Sequence, residues 1–214
     1  MNWVRARSDQ QIEQRINEIT KATASLYESY RFEEITFAMI AREANFTRSN
    51  LYRYFNTRED IFLELLKHDI TDWRKEILEI LPEGFDNPEK FSEIWVTLLQ
   101  KHQRMVKLFT ILYTQLEQNS SLEALTEFKK KLLQELALVA EFLMNKLPFP
   151  SVAAARDFLF AQSFMAIGTC PMLELTPKQK EAMETVGMDT SPQYFKIIFT
   201  KSIHSLLMGV MKVP

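Results

Sequence analysis

The sequence predicts an all-α fold of about nine helices, and three observations carry that expectation. Apolar residues recur every three or four positions along most of the chain, and no stretch alternates apolar with polar residues as a half-buried strand does. Glycine is scarce: only Gly84, Gly168, Gly187 and Gly209 occur in 214 residues, where average usage gives roughly fifteen. Hairpin turns therefore lack the residue that their positive φ angles require. Prolines do the punctuating instead, with Pro82, Pro88, Pro148, Pro171 and Pro192 standing where helical runs stop or begin.

Taken in order, residues 8–30 place Ile12, Ile16, Ile19, Thr23, Leu26, Tyr27 and Tyr30 at helical spacing, and Ser8 with Gln11 forms a candidate capping box for helix one. Thr36 caps a second helix to about Ala44, with Phe37, Ile40, Ala41 and Ala44 on its inner side. Asn45-Phe46 makes a tight turn. Thr47 then caps a third helix in which Leu51 and Phe55 form an apolar i, i+4 stripe. These helices are too short to stand alone and must pack together. Thr57-Arg58-Glu59-Asp60 fits the capping-box pattern and opens a long helix that stops at Pro82. Further helices are expected over Pro88 to about Arg104, over 105–119, over 121–147, over 151–170 and from 192 to about 211, with a polar connector, "TPKQKEAMETVGMDTSP", before the last.

Composition narrows the class. Net charge is −2, so the whole chain exerts no pull on nucleic acid, although residues 1–58 carry nine basic against seven acidic side chains. Cys170 is the only cysteine, which excludes an intrachain disulfide and suits a reducing compartment. "MNWVRARSDQQ" holds no apolar run fit for a signal peptide, and no segment approaches the roughly 20 apolar residues that span a bilayer. A soluble, cytoplasmic protein without a membrane partner is the expectation.

Residues 36–55 pose the functional question, because the third helix carries cations and phenols where a buried helix carries aliphatics. A capped helix, a short turn and a second capped helix are the layout of a helix-turn-helix, whose second helix enters the DNA major groove. With Leu51 and Phe55 turned inward, Thr47, Arg48, Ser49, Asn50, Tyr52 and Arg53 lie on other faces. Arg bonds two acceptors on guanine, Asn pairs with adenine, and Tyr touches a thymine methyl or a phosphate. The start of helix four, with Arg58, presents N–H groups to an anion. Spacing alone fits equally an αα-hairpin in which Tyr52, Tyr54 and Phe55 are half-buried packing residues.

"ITFAMIAREANFTRSNLYRYFNTREDIFLELL" resembles the N-terminal domain of the TetR family of bacterial transcriptional regulators, in particular the "LYRYF" run, a polar pair and then "RED" at helix four. The resemblance covers residues 8–66 in motif detail. It implies a three-helix DNA-binding head, residues 1–57, on a helical-bundle regulatory domain, residues 58–214, that binds an effector and dimerises. It implies further that Thr36 and Phe37 touch phosphate, that Arg48, Ser49, Asn50 and Tyr52 face the groove, and that Tyr54 and Arg58 hold the DNA backbone. One departure stands out: Asn45-Phe46-Thr47 replaces the family's usual Gly, aliphatic and Ser/Thr turn. Asn tolerates the left-handed conformation, and the larger Phe46 implies local repacking.

For the effector, Trp73, Trp95, Met105, Phe109 and Tyr113, with Phe142, Phe158, Phe164 and Met165, are candidate lining residues of a cavity suited to an apolar or weakly polar small molecule. The same residues fit plain core, and it is the family resemblance that raises the pocket. The final helix carries Tyr194, Phe195, Ile198, Phe199, Ile203, Leu206 and Leu207, and 158–165, which includes Phe160, is apolar nearly all round. Such helices need cover; the resemblance implies a homodimer through a four-helix bundle, and a monomer burying both faces internally also satisfies the pattern.

Enzymatic chemistry finds little support. His68, His102 and His204 are scattered without metal-ligand spacing, and Cys170 before Pro171 has no sequence-local base. No cofactor or metal is expected. The reading is a ligand-responsive repressor, not an enzyme, that is released from a palindromic double-stranded DNA operator by its effector; the alternative is a helical interaction or scaffold protein that binds no DNA.

Overall fold

A computed structural model of the chain describes residues 2–81 and 87–211, with side chains described from residue 9 onward. Among the described residues there is no strand, and ten helices follow one another. They are α1 Asn2–Ser29, α2 Phe37–Glu43, α3 Arg48–Leu51, α4 Arg58–Ile80, α5 Pro88–Lys101, α6 Gln103–Ile111, α7 Leu122–Met144, α8 Val152–Thr169, α9 Pro177–Thr185 and α10 Pro192–Val210. A π-helical turn, Leu112–Leu116, and a last short turn, Glu117–Asn119, extend α6.

Side-chain caps set most of the starts. Thr36 Oγ1 accepts from the Met39 N–H and Thr47 Oγ1 from the Asn50 N–H, both at 3.2 Å, as their positions before apolar-periodic runs predict. At α4 the capping box closes reciprocally: the Asp60 N–H donates to Thr57 Oγ1 at 3.1 Å and the Thr57 N–H to Asp60 Oδ2 at 3.2 Å. Asn87, Ser151 and Ser191 cap α5, α8 and α10 in the same way.

Four expectations need correction. α1 begins at Asn2, so Ser8 lies inside the helix, because nothing from Trp3 to Arg7 breaks it. The helix expected from Pro88 to Arg104 is interrupted at His102, whose backbone leaves the helical region at φ −94°, ψ 36°. The run over 105–119 is not uniform but widens into the π-helical turn. The connector before the last helix contains α9, started by a full capping box between Thr176 and Gln179. Pro82, expected to stop α4, lies outside the described residues; the helix ends at Ile80.

The chain divides into two compact units, residues 1–68 with 111–131 and residues 69–110 with 132–214. In the first unit the core is built from α1 (Ile19, Leu26), the segment before α2 (Phe32, Ile35), α2 (Ile40, Ala41), Leu51, Phe55 and the first half of α4 (Ile61, Phe62, Leu65, Leu66), all buried. Phe62 receives the edges of Tyr27 and Phe32 at ring-centroid distances of 5.5 and 4.9 Å. In the second unit α10 packs on α5 and on α8, around a buried aromatic group of Phe91, Trp95, Phe149 and Phe158.

Candidate nucleic-acid interface and effector cavity

Leu51 decides which way α3 faces. Its side chain is fully buried and Phe55 is nearly so. Thr47, Arg48, Ser49, Asn50, Tyr52 and Arg53 consequently stand on the exposed side. The regular helix is only Arg48–Leu51; beyond it the backbone tightens, with the Arg53 N–H on Asn50 O and the Tyr54 N–H on Leu51 O, before the Phe55 N–H returns to Leu51 O at 3.2 Å. The turn before it works through Asn45, whose φ of 58° is the left-handed conformation that Asn tolerates. Phe46 repacks as its size demands, edge-on to Tyr54 at 6.0 Å and under the Arg15 guanidinium at 5.6 Å.

Arg48 and Tyr52 act as a pair. Arg48 Nη2 donates to Tyr52 Oη at 3.2 Å, and the Tyr52 ring stacks on Phe37 with centroids 4.5 Å apart and planes 24° apart. Half-buried Phe37 thus supports the Tyr52 ring from below, while Thr36 is exposed beside it. Tyr54 is half-buried against Phe46. Arg58 is engaged within the protein. Its Nη1 donates to Phe32 O at 3.0 Å and Ile35 O at 2.6 Å, its other nitrogens hold Glu59, and the guanidinium lies 4.3 Å from the Phe32 ring centroid. A cation held by those carbonyls closes the turn into α2.

Asp60, nearly fully buried, is a feature that the sequence reading placed only in a cap. Its Oδ2 accepts from the Asn56 and Thr57 N–H groups and its Oδ1 from the Ser121 N–H at 2.7 Å. One carboxylate therefore joins the start of α4 to the residue that caps α7.

In the second unit a cavity with about 30 Å³ of free space is walled by Ile70, Trp73, Leu99, Met105, Val106, Phe109, Leu132, Leu136, Gln162, Ser163, Ala166 and Ile167. Of the expected lining residues, Trp73, Met105 and Phe109 meet here. Trp95 and Phe158 lie in the adjoining aromatic group, where Trp95 packs edge-on to Trp73 at 5.6 Å and donates its indole N–H to Gln162 Oε1 at 3.1 Å. Phe142 is half-buried under the Lys146 ammonium at 5.3 Å, and Met165 is half-buried on α8. Tyr113, in the first unit, is 56% exposed and Phe164 62% exposed, so neither lines this cavity. The aliphatic wall was missed because its members sit at ordinary core spacing and no signal separates them from other core residues.

Phe164 belongs instead to an exposed apolar surface with Phe160 on α8, and Tyr194, Ile197, Ile198 and Met208 are exposed on α10. Phe195 and Ile203, expected at a dimer interface, are buried inside the protomer, where they have no surface left to bury against a partner. Phe199 and Leu206 are half-buried.

The two buried carboxylates of this unit, Asp69 and Glu135, are paired. Arg74 binds Glu135, which also accepts from Thr71 at 3.0 Å, and Arg104 grips Asp69 through two bonds of 3.0 and 2.6 Å. Burial pushes the Cys170 thiol upward in pKa, with Glu174 adding to it and Lys107 opposing, so the thiolate is disfavoured. Among the described residues no group of three or more His, Cys, Asp or Glu side chains is placed to hold a metal ion, and no single helix is long and apolar enough to cross a membrane.

Known proteins complete the picture. The family model described as "Bacterial regulatory proteins, tetR family" matches residues 19–65, and that described as "Tetracyclin repressor-like, C-terminal domain" matches residues 67–214. The chain belongs to the TetR family. No curated protein matches this TetR-family chain. Among solved structures, it is similar to Thermus thermophilus FadR, described as a transcriptional repressor in complex with lauroyl-CoA, at a TM-score of 0.60 and 18% identity over 93% of this chain and 96% of that one. Similar too are FadR from Bacillus halodurans (TM-score 0.53, 18% identity, 90% and 93% covered) and FadR from Bacillus subtilis in complex with stearoyl-CoA (TM-score 0.51, 15% identity, 89% and 96% covered). At such identities the likeness concerns the fold. The helix-turn-helix of this TetR-family regulator is α2, the Asn45 turn and α3.

Proposed function

We propose that the protein is a homodimeric, cytoplasmic repressor that reads a palindromic operator with α3 and is released by an apolar small molecule held in the cavity. Residues 1–57 serve DNA reading, and residues 58–214 serve effector binding and dimerisation. The observation that carries the reading is the exposed Arg48–Tyr52 pair, seated on Phe37 and aimed outward by buried Leu51. A scaffold helix has no need to hold a guanidinium and a phenol off its own surface, whereas a groove-reading helix does. Thr47, Ser49, Asn50 and Arg53 supply further polar contacts to bases and phosphates, and Thr36 a hydroxyl at the start of α2.

The effector reading rests on the cavity's composition. Its wall is almost wholly apolar, with Gln162 and Ser163 as the polar exceptions. About 30 Å³ is far below the roughly 300–1,000 Å³ of an occupied ligand site. Binding therefore requires the wall to part, and that movement is what would favour a dimer whose heads no longer fit the operator. Similarly folded repressors are described in complex with lauroyl-CoA and stearoyl-CoA, which makes fatty acyl compounds the first effectors to try.

The test is a footprint on the DNA flanking the protein's own gene, repeated with acyl compounds of increasing chain length. Protection of an inverted repeat, weakened by salt and abolished by one of the ligands, is the expected result. Absence of any salt-dependent, sequence-specific binding would leave the scaffold reading standing.

A further inference from the structure

The inner cavity shares part of its wall with a second space, and that second space reaches the surface. Leu99, Val106 and Ala166 line the cavity described above and also a cleft with about 50 Å³ of free space. No residue of the inner wall is exposed, whereas Gln100, Gln103 and Leu173 of the cleft wall are. The two spaces follow one another along the helices that wall them. On α8 and the turn after it, Gln162 and Ser163 belong to the inner cavity, Ala166 to both, and Thr169, Cys170 and Leu173 to the cleft. On α6, Met105 and Phe109 face the inner cavity, Val106 both, and Gln103 the cleft. At the helical rise, Gln162 and Cys170 lie about 12 Å apart along α8. Protein interiors leave few voids larger than a water molecule, so two in line with one partition between them make a route and not a scatter of packing defects.

We infer that this cleft is the mouth of the effector site and that Leu99, Val106 and Ala166 form the gate between mouth and cavity, an inference that rests on the inner cavity being where the effector sits. The apolar part of the ligand passes the gate, and its outer end stays at the mouth beside Gln100, Gln103 and Lys196. The gate residues differ in what they can do. Leu99 swings between staggered rotamers, Val106 is stiffer at χ1, and Ala166 has no side-chain torsion to turn. Ala166 therefore sets the width of the passage, because its methyl group is the smallest side chain at the gate and a larger one would fill the gap. Cys170, one helical turn beyond Ala166, stands in the wall of the mouth and is 8% exposed. It is the only cysteine of the chain, so its reactivity reports on this place alone. A ligand held through the gate covers it.

The experiment alkylates Cys170 of the full-length protein with N-ethylmaleimide, with and without lauroyl-CoA, and measures lauroyl-CoA binding separately by titration calorimetry. Alkaline pH is used because burial holds the thiol's pKa up. The expected result is that lauroyl-CoA at about ten times its Kd slows alkylation about tenfold, the factor by which the ligand-free fraction falls. Ala166→Leu should bind lauroyl-CoA about tenfold more weakly or worse, the scale on which overfilling a packed site acts, and protein alkylated beforehand should lose affinity to a similar extent. Undiminished alkylation at saturating ligand, or a Cys170 that does not react in the ligand-free protein, overturns the mouth while leaving the inner cavity as an effector site. Wild-type affinity in Ala166→Leu overturns the gate. Failure of lauroyl-CoA to bind the wild type overturns the acyl effector reading and, with it, this inference. The wild-type protection measurement stands even if the variant does not fold.

Discussion

Asn45 is the residue on which the geometry of the reading head turns. Its φ of 58° carries the chain from α2 into α3, and the Phe46 N–H reaches back to Ala41 O at 2.8 Å to close the turn. A β-branched residue at that angle pays the left-handed penalty, so Asn45→Val should cost about 1–2 kcal/mol in urea unfolding, and Asn45→Gly only a few tenths. On the reading face, the Arg48 guanidinium lies 5.7 Å from the Tyr52 ring centroid and holds its hydroxyl. Arg48→Ala should weaken operator binding by about 1–3 kcal/mol, roughly 5- to 150-fold, with helicity and dimer mass unchanged. Tyr52→Ala should do at least as much, because it removes both a contact and the prop for Arg48. Full affinity of both variants in gel-shift titrations would refute the assignment of this face.

At the scale of the element, polar side chains fix where helices begin and how they are tied. Asp60 satisfies three backbone N–H groups, two at the start of α4 and one before α7. Asp60→Ala strands those donors and should cost about 2–3 kcal/mol, read as a shift in the urea midpoint at constant slope. Glu76 of α4 is held by Lys101 at the end of α5 and by His102 at 2.8 Å, and the hydrogen bonds to Lys101 and His102 lower its carboxyl pKa. A lowered folded-state pKa stabilises above the ordinary glutamate value, about 4.3, and that stabilisation is lost as pH falls through the folded value. Glu76→Gln should therefore flatten the acid side of the stability profile and leave the neutral side's slope unchanged. Caps of this local kind were legible beforehand: Thr36, Thr47 and Thr57 with Asp60 behave as their spacing says. Arg58 was not, because its carbonyl partners at Phe32 and Ile35 lie more than twenty residues away in sequence. The cavity wall was half legible for the same reason, since Trp73, Met105 and Phe109 stand out by size while Leu99, Leu132 and Leu136 look like any core. α9 was missed because its polar composition hides a helix that only the Thr176–Gln179 box announces.

For the whole molecule, the question is what covers the exposed apolar residues of α8 and α10. Phe160, Phe164, Tyr194, Ile197, Ile198 and Met208 are large apolar side chains exposed on α8 and α10, and these two helices pack against each other. In the proposed dimer a second copy related by a twofold axis would cover the same residues on both chains, and a palindromic operator would require its two reading helices to lie one turn of DNA apart, about 34 Å. A charge placed there is buried without a partner in the dimer and costs nothing in the free protomer, whereas the same charge at buried Phe195 or Ile203 would damage the protomer itself. Phe164→Glu and Ile198→Glu should therefore yield folded monomers by light scattering, with unaltered circular dichroism. Each monomer keeps an intact head but contacts one half-site, so its operator affinity should fall by far more than the roughly tenfold of a lost side-chain contact. Effector binding should persist in those monomers but no longer influence DNA binding, because coupling between the sites needs the spacing of two heads. Dimers of unchanged mass from both variants would refute this interface, and monomers that still released DNA on ligand addition would refute the spacing mechanism.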